Sequence, residues 1–233
     1  MGSSTAWEES LSKPDNVLSL DEGNPFKDWT HVFMRYCSGD TWTGTNTRES
    51  GPGRYDLYFS GHNMVEETLE YMAATYGIGG KHTELLLSGA SAGGIGTNNN
   101  CDFVAEKYPD LKVSCSPQSG LFFPENTVPE WQKRVGLDDF DFNHFAGVYV
   151  SEMFDSYLDR SCVEYAEKVG DRKEWCWDSG YLSRHIDTRV LVAQNFWDQL
   201  QVRSAPSSLV ALNNRPKMRA QCAGDKRGKT GDN

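Results

Sequence analysis

With 233 residues and 38% apolar side chains, the chain is long enough for one packed domain. A formal net charge of −10 argues against a nucleic-acid binder, which would present a basic face. No run approaches the roughly 18 consecutive apolar residues of a membrane span, and the N-terminal stretch holds no signal-peptide core.

In chain order, "HVFMRY" (31–36) reads as a buried strand, a short apolar run bounded by polar residues. "GHNMVEETLEYMAATYG" follows as a helix, with Val65, Leu69, Met72 and Tyr76 on one face and Gly77 as its C-terminal stop. "ELLLSG" (84–89) is the next buried strand, and a helix is expected from Ser91 until Pro109 ends it. "LKVSC" (111–115) and "RVLVAQN" (189–195) read as further strands, with "AGVYVSEMFDSYL" (146–158) a helix between them. Strands alternating with helices imply an α/β domain: a mostly parallel sheet with flanking helices. The chain divides into that domain, 1–212, and a polar, solvated tail, 213–233.

The stretch that carries chemistry is "LLLSGASAGGIGT" (85–97). A nucleophile elbow needs a buried strand, a serine on a sharp turn, glycines where side chains would clash, and a helix after it. Residues 84–107 supply all of these, with Ser91 as the candidate nucleophile. The Ala92 backbone N–H then lies at a helix N-terminus, where it would donate to a developing oxyanion. A glycine-rich strand-to-helix turn without catalysis produces the same pattern. Ser91 would need a histidine to take its proton and a carboxylate to orient that histidine. Asp198, just past the "RVLVAQN" strand, stands where the acid belongs. The histidine does not fit the usual order: His31, His62, His82, His144 and His185 all precede Asp198.

The six cysteines lie at moderate spacing, Cys101 with Cys115 and Cys162 with Cys176, leaving Cys37 and Cys222. There is no CxxC and no zinc-type Cys/His spacing, so disulfides of an exported protein are expected and no metal or cofactor.

Several blocks taken in order resemble the pectin acetylesterase and Notum family of serine carboxylesterases, which are α/β-hydrolases. They are "NPFKDWTHVFMRYCSGDTWTG", "LYFSG", "LLLSGASAGGIGTNNNCDFVAEKYPDLKVSCSPQSGLFF", "RSCV…EWCW" and "VLVAQNFWDQLQV", the last including Gln201, and they run from about Gly2 to Val202. The resemblance implies Ser91 as nucleophile, Asp198 as triad acid and Ala92 as an oxyanion donor. It places Asp40 and Trp42 beside the pocket and supports the pairings 101–115 and 162–176. It also implies secretion and an ester substrate, an acetylated polysaccharide or an acylated protein.

The family's "GGGWC"-type segment, a strand of the same sheet that carries further oxyanion donors, has no counterpart here. Nor does its histidine beyond the acid, and Gln118 replaces a usual Asp. The expectation is therefore a fragment, incomplete at both ends of the fold, with an unpaired sheet edge, poor solubility and little activity of its own. The alternative is a hydrolase fold kept for binding a glycan or a partner. Should the chain prove active, His185 would be the first base to test.

Overall fold

A computed structural model of the chain describes residues 16–47, 57–80, 83–121 and 146–195. The expectations placed on His82, His144, Asp198, Gln201, Cys222 and the tail 213–233 fall outside these residues.

Helix α1 (Gly61–Tyr76) buries Val65 and Leu69 and closes on Gly77, whose φ of 70° is the left-handed geometry of a helix stop. Tyr76, expected on the apolar face, is instead exposed, edge-on to the exposed Tyr71 at 6.2 Å. Strand β1 (Glu84–Ala90) runs straight into helix α2 (Ala92–Lys107). Strand β2 (Lys112–Gln118) returns parallel to β1, with Leu87 opposite Cys115 and Ala90 opposite Gln118. A π-helical stretch, Ala146–Met153, occupies the start of the segment expected as a helix. Helix α3 (Arg160–Val169), a 3₁₀ turn (Lys173–Trp177) and the short helix α4 (Ser179–Leu182) follow. Strand β3 (Arg189–Val190) pairs parallel to β2, giving a sheet in the order β1-β2-β3.

Two expected strands differ from the structure. "RVLVAQN" forms a ladder only at Arg189–Val190, with an isolated bridge from Ala193 to Gln118. The reason lies opposite it. Leu191 donates to the Cys115 carbonyl and Ala193 to the Pro117 carbonyl, but Pro117 has no N–H to return a bond to Leu191. The stretch 31–36 joins no ladder among the described residues, and Val32 and Phe33 stand 43% and 55% exposed. Its apolar composition fits a strand, yet no described strand pairs with it.

The main core gathers Trp42, Val65, Leu69, Cys101, Val104, Leu111, Val113 and Cys115 between α1, α2 and the sheet. A second, smaller core holds Cys162, Ala166, Cys176 and Leu182. Each core contains a disulfide. Cys101–Cys115 ties α2 to β2, and Cys162–Cys176 ties α3 to the 3₁₀ turn. Both match the pairing expected from the sequence, while Cys37 is exposed and free.

Candidate active site

Ser91 is the single residue between β1 and α2. It is exposed, with φ 56° and ψ −116°, a conformation that costs a non-glycine residue about 1–3 kcal/mol. Three backbone bonds hold it there. Ser91 N–H donates to the Gln118 carbonyl at 2.9 Å, and the Ser91 carbonyl accepts from Gly94 and Ile95 at 2.9 and 3.1 Å. Those two donors begin the helical ladder, so the amides of Ala92 and Gly93 lie ahead of it at the positive end of the α2 dipole. The turn is tight enough to exclude a side chain at Gly89, where a Cβ would come within 2.4 Å of the Gly93 carbonyl oxygen.

The loop after 31–36 braces α2 from the other side. Thr41 and Trp42 both have positive φ, 57° and 65°, and the Asp40 carboxylate sustains that geometry. Asp40 is fully buried. Its Oδ1 accepts from the Ser38 hydroxyl at 2.5 Å and the Trp42 amide at 3.0 Å, and its Oδ2 accepts from the Gly61 amide at 2.6 Å. It therefore serves as the N-cap of α1 from 21 residues away, since Ser60 makes no side-chain cap bond. Trp42 packs on α2 at Gly96, where a Cβ would meet the Trp42 Cβ at 2.5 Å. Asp40 and Trp42 thus sit beside the nucleophile helix as packing and capping groups, and neither carboxylate oxygen of Asp40 faces open space.

Three histidines are described, and each is engaged elsewhere. His62 is buried, with its Nδ1 2.7 Å from Asn100 Oδ1 and its ring stacked on Tyr157 at 4.1 Å. Burial, more than any neighbouring charge, holds its pKa below the usual histidine value. His31 Nε2 meets the Phe26 carbonyl at 2.8 Å. His185 packs among Tyr165 and Tyr181. Asp198 lies outside the described residues. The chain leading toward it is placed, however: Ala193 bridges Gln118, whose carbonyl holds Ser91, so it leaves the sheet at the same carboxyl edge.

Sequence reasoning missed the capping role of Asp40 and the part played by Asn100. Asn100 Nδ2 donates to the Trp42 and Gly96 carbonyls while its Oδ1 engages His62. The available signal was "TNNNCD", a polar run in a helix that buries Thr97, Asn98, Asn99, Asn100 and Asp102. Asn99 and Asn100 of that run donate to the Trp177 and Trp42 carbonyls, and so they mark where loops attach.

A parallel sheet whose strand delivers an exposed, strained serine onto a helix N-terminus defines an α/β-hydrolase-type fold. The chain matches the pectinacetylesterase family over residues 1–227 and belongs to that family. It is 29% identical to pectin acetylesterase 5 of Arabidopsis thaliana, covering 89% of this chain and 46% of that protein. With palmitoleoyl-protein carboxylesterase notum1a of Danio rerio it shares 32% identity, over 86% of this chain and 39% of that one. The crystal structure of the Wnt deacylase Notum from Drosophila shares the fold, with a TM-score of 0.69 at 24% identity. That match covers 86% of this chain and 56% of the Drosophila chain. The chain spans about half the length or less of the curated relatives it matches.

Proposed function

We propose that the protein is a carboxylic ester hydrolase working through an acyl-enzyme on Ser91. Ser91 Oγ attacks the ester carbonyl and the Ala92 N–H donates to the oxyanion. The alkoxide leaves as an alcohol once protonated by the histidine that took the serine's proton. Water then attacks the acyl-enzyme, releasing the acid and restoring Ser91. Asp198 orients the histidine in this reading. The observation that carries it is the strained, exposed Ser91 held by the Gln118 carbonyl at the head of α2. An acetyl ester on a polysaccharide is the substrate class supported by the family match. Two disulfides suit an exported protein.

A second reading, a hydrolase fold that binds without turning over, is favoured by the described histidines being committed elsewhere. Hydrolysis of p-nitrophenyl acetate separates the two when imidazole is added as an external base. The esterase reading expects a rate component that rises with imidazole and disappears in Ser91→Ala. The binding reading expects identical rates for the chain and Ser91→Ala at every imidazole concentration.

A further inference from the structure

Trp42 is 8% exposed, and an indole so covered ordinarily has its N–H bonded. The main-chain groups of Trp42 follow that rule: its amide donates to Asp40 Oδ1 and its carbonyl accepts from Asn100 Nδ2. The Trp177 indole follows it too, donating to Thr41 Oγ1 at 3.0 Å. The Trp42 Nε1–H has no partner among the described residues. It is not sealed either, because the fully enclosed side-chain atoms without a partner there are Asn99 Oδ1 and Ser179 Oγ.

The unbonded donor is aimed. Gly96 and Gly93 lie one turn apart on the same face of α2. A Cβ at Gly96 would meet the Trp42 Cβ at 2.5 Å and Cδ1 at 3.0 Å. A Cβ at Gly93 would meet Nε1 at 4.0 Å and, among the described residues, nothing else beyond its chain neighbours and the helix backbone. The Cδ1–Nε1 edge of the ring therefore climbs α2 toward its head, where Ser91 and the Ala92 amide stand. The loop that carries the ring is set in advance. Thr41 and Trp42 hold φ of 57° and 65°, and the Thr41 amide donates to the Tyr36 hydroxyl at 2.6 Å. Backbone strain of this kind, over-determined by its surroundings, gathers where a group is kept ready for a ligand.

We infer that the Trp42 indole N–H is an oxyanion donor, a side-chain partner to the Ala92 amide on the carbonyl oxygen of the ester. The inference rests on the esterase reading, and Gly93 leaves the gap in front of Nε1 into which that oxygen fits. As Ser91 Oγ bonds to the carbonyl carbon, the C=O π pair moves onto oxygen and both N–H groups donate to it. The pair returns to the carbonyl when the alcohol leaves. A donor fixed beforehand in a partly dry site gains strength as this charge grows, so it acts on the transition state more than on the bound ester.

Replacing Trp42 by benzothienylalanine tests it, since sulfur takes the place of the N–H while the ring keeps its shape. The assay is imidazole-supported hydrolysis of p-nitrophenyl acetate by the full chain, with the rate of Ser91→Ala subtracted. We expect kcat to fall about a hundredfold, with KM and the urea midpoint unchanged. A second measurement needs no turnover. In the parent chain with isotope-labelled indoles, the Trp42 N–H resonance should move downfield once Ser91 carries a diethylphosphoryl group, whose P=O oxygen takes the oxyanion position. Equal kcat in parent and variant, or an indole resonance that the adduct leaves in place, would overturn the inference while Ser91 remains a nucleophile. A raised KM at constant kcat would overturn it in favour of a contact made equally by ester and transition state. No difference between the parent and Ser91→Ala would remove the esterase reading, and the inference with it.

Discussion

The carbonyl of Gln118 accepts the amide of Ser91 at 2.9 Å, so the end of the second strand fastens the turn that presents the candidate nucleophile. The Gln118 side chain turns back, its Nε2 reaching the Ser88 hydroxyl at 3.2 Å. Gln118 thus fixes the turn through its backbone while its side chain braces β1.

Replacing Gly89 tests how tightly that turn is built. Gly89→Ala places a methyl 2.4 Å from the Gly93 carbonyl oxygen, against Gly93 backbone that cannot swing aside. We expect a loss of about 1–3 kcal/mol in urea unfolding. Gly23→Ala, where nothing lies within 4 Å, should leave stability unchanged.

Asp40 is the buried hub between the strained loop and α1. Asp40→Ala removes the acceptors of Ser38, Trp42 and Gly61 together, and should cost about 3 kcal/mol or more. Asp40→Asn retains one acceptor oxygen and should fall between the variant and the parent in the same urea titration.

The Cys101–Cys115 bridge closes a loop of sequence separation 14 and links the nucleophile helix to β2. Replacing both cysteines by alanine should lower unfolding free energy by about 3 kcal/mol, chiefly by freeing the unfolded chain. Full stability in the double variant would show that packing alone holds α2 in place.

Stability should also fall as pH rises through neutrality, because of Asp178. This carboxyl is buried at the head of α4, accepting from the Gly180 and Tyr181 amides at 2.9 Å each. Burial outweighs those two bonds and pushes its pKa from 3.8 up to about 7. The folded chain then binds a proton that the unfolded chain has released. The resulting contribution is complete below about pH 4 and lost as pH climbs through about 7. Asp178→Asn keeps the capping oxygen and should remove this decline, read from urea midpoints at pH 5 and pH 8. His62 acts in the opposite direction. Its lowered pKa makes the folded state resist protonation, so stability is lost below the usual histidine range, and His62→Gln should blunt that loss.

The local pattern was most legible where short-range physics decides the outcome. The strand–serine–helix unit around Ser91, the Gly77 stop and both disulfides follow from apolar runs, glycines and cysteine spacing along the chain. Pairing partners were not legible. Whether 31–36 becomes a strand depends on what lies beside it, and the run from Arg189 breaks because Pro117 on the neighbouring strand cannot donate. The family resemblance alone put Asp40 beside the pocket. Its partners, Gly61 above all, are brought to it only by the fold.

The central claim is that this fold makes Ser91 a nucleophile, and mapping a covalent fluorophosphonate adduct tests it most directly. With imidazole supplied as base, the folded chain should carry the adduct on Ser91 above all other serines. Urea unfolding should abolish that preference. An adduct spread evenly over the chain's serines, or a Ser91 adduct forming equally well in the unfolded chain, would contradict the account.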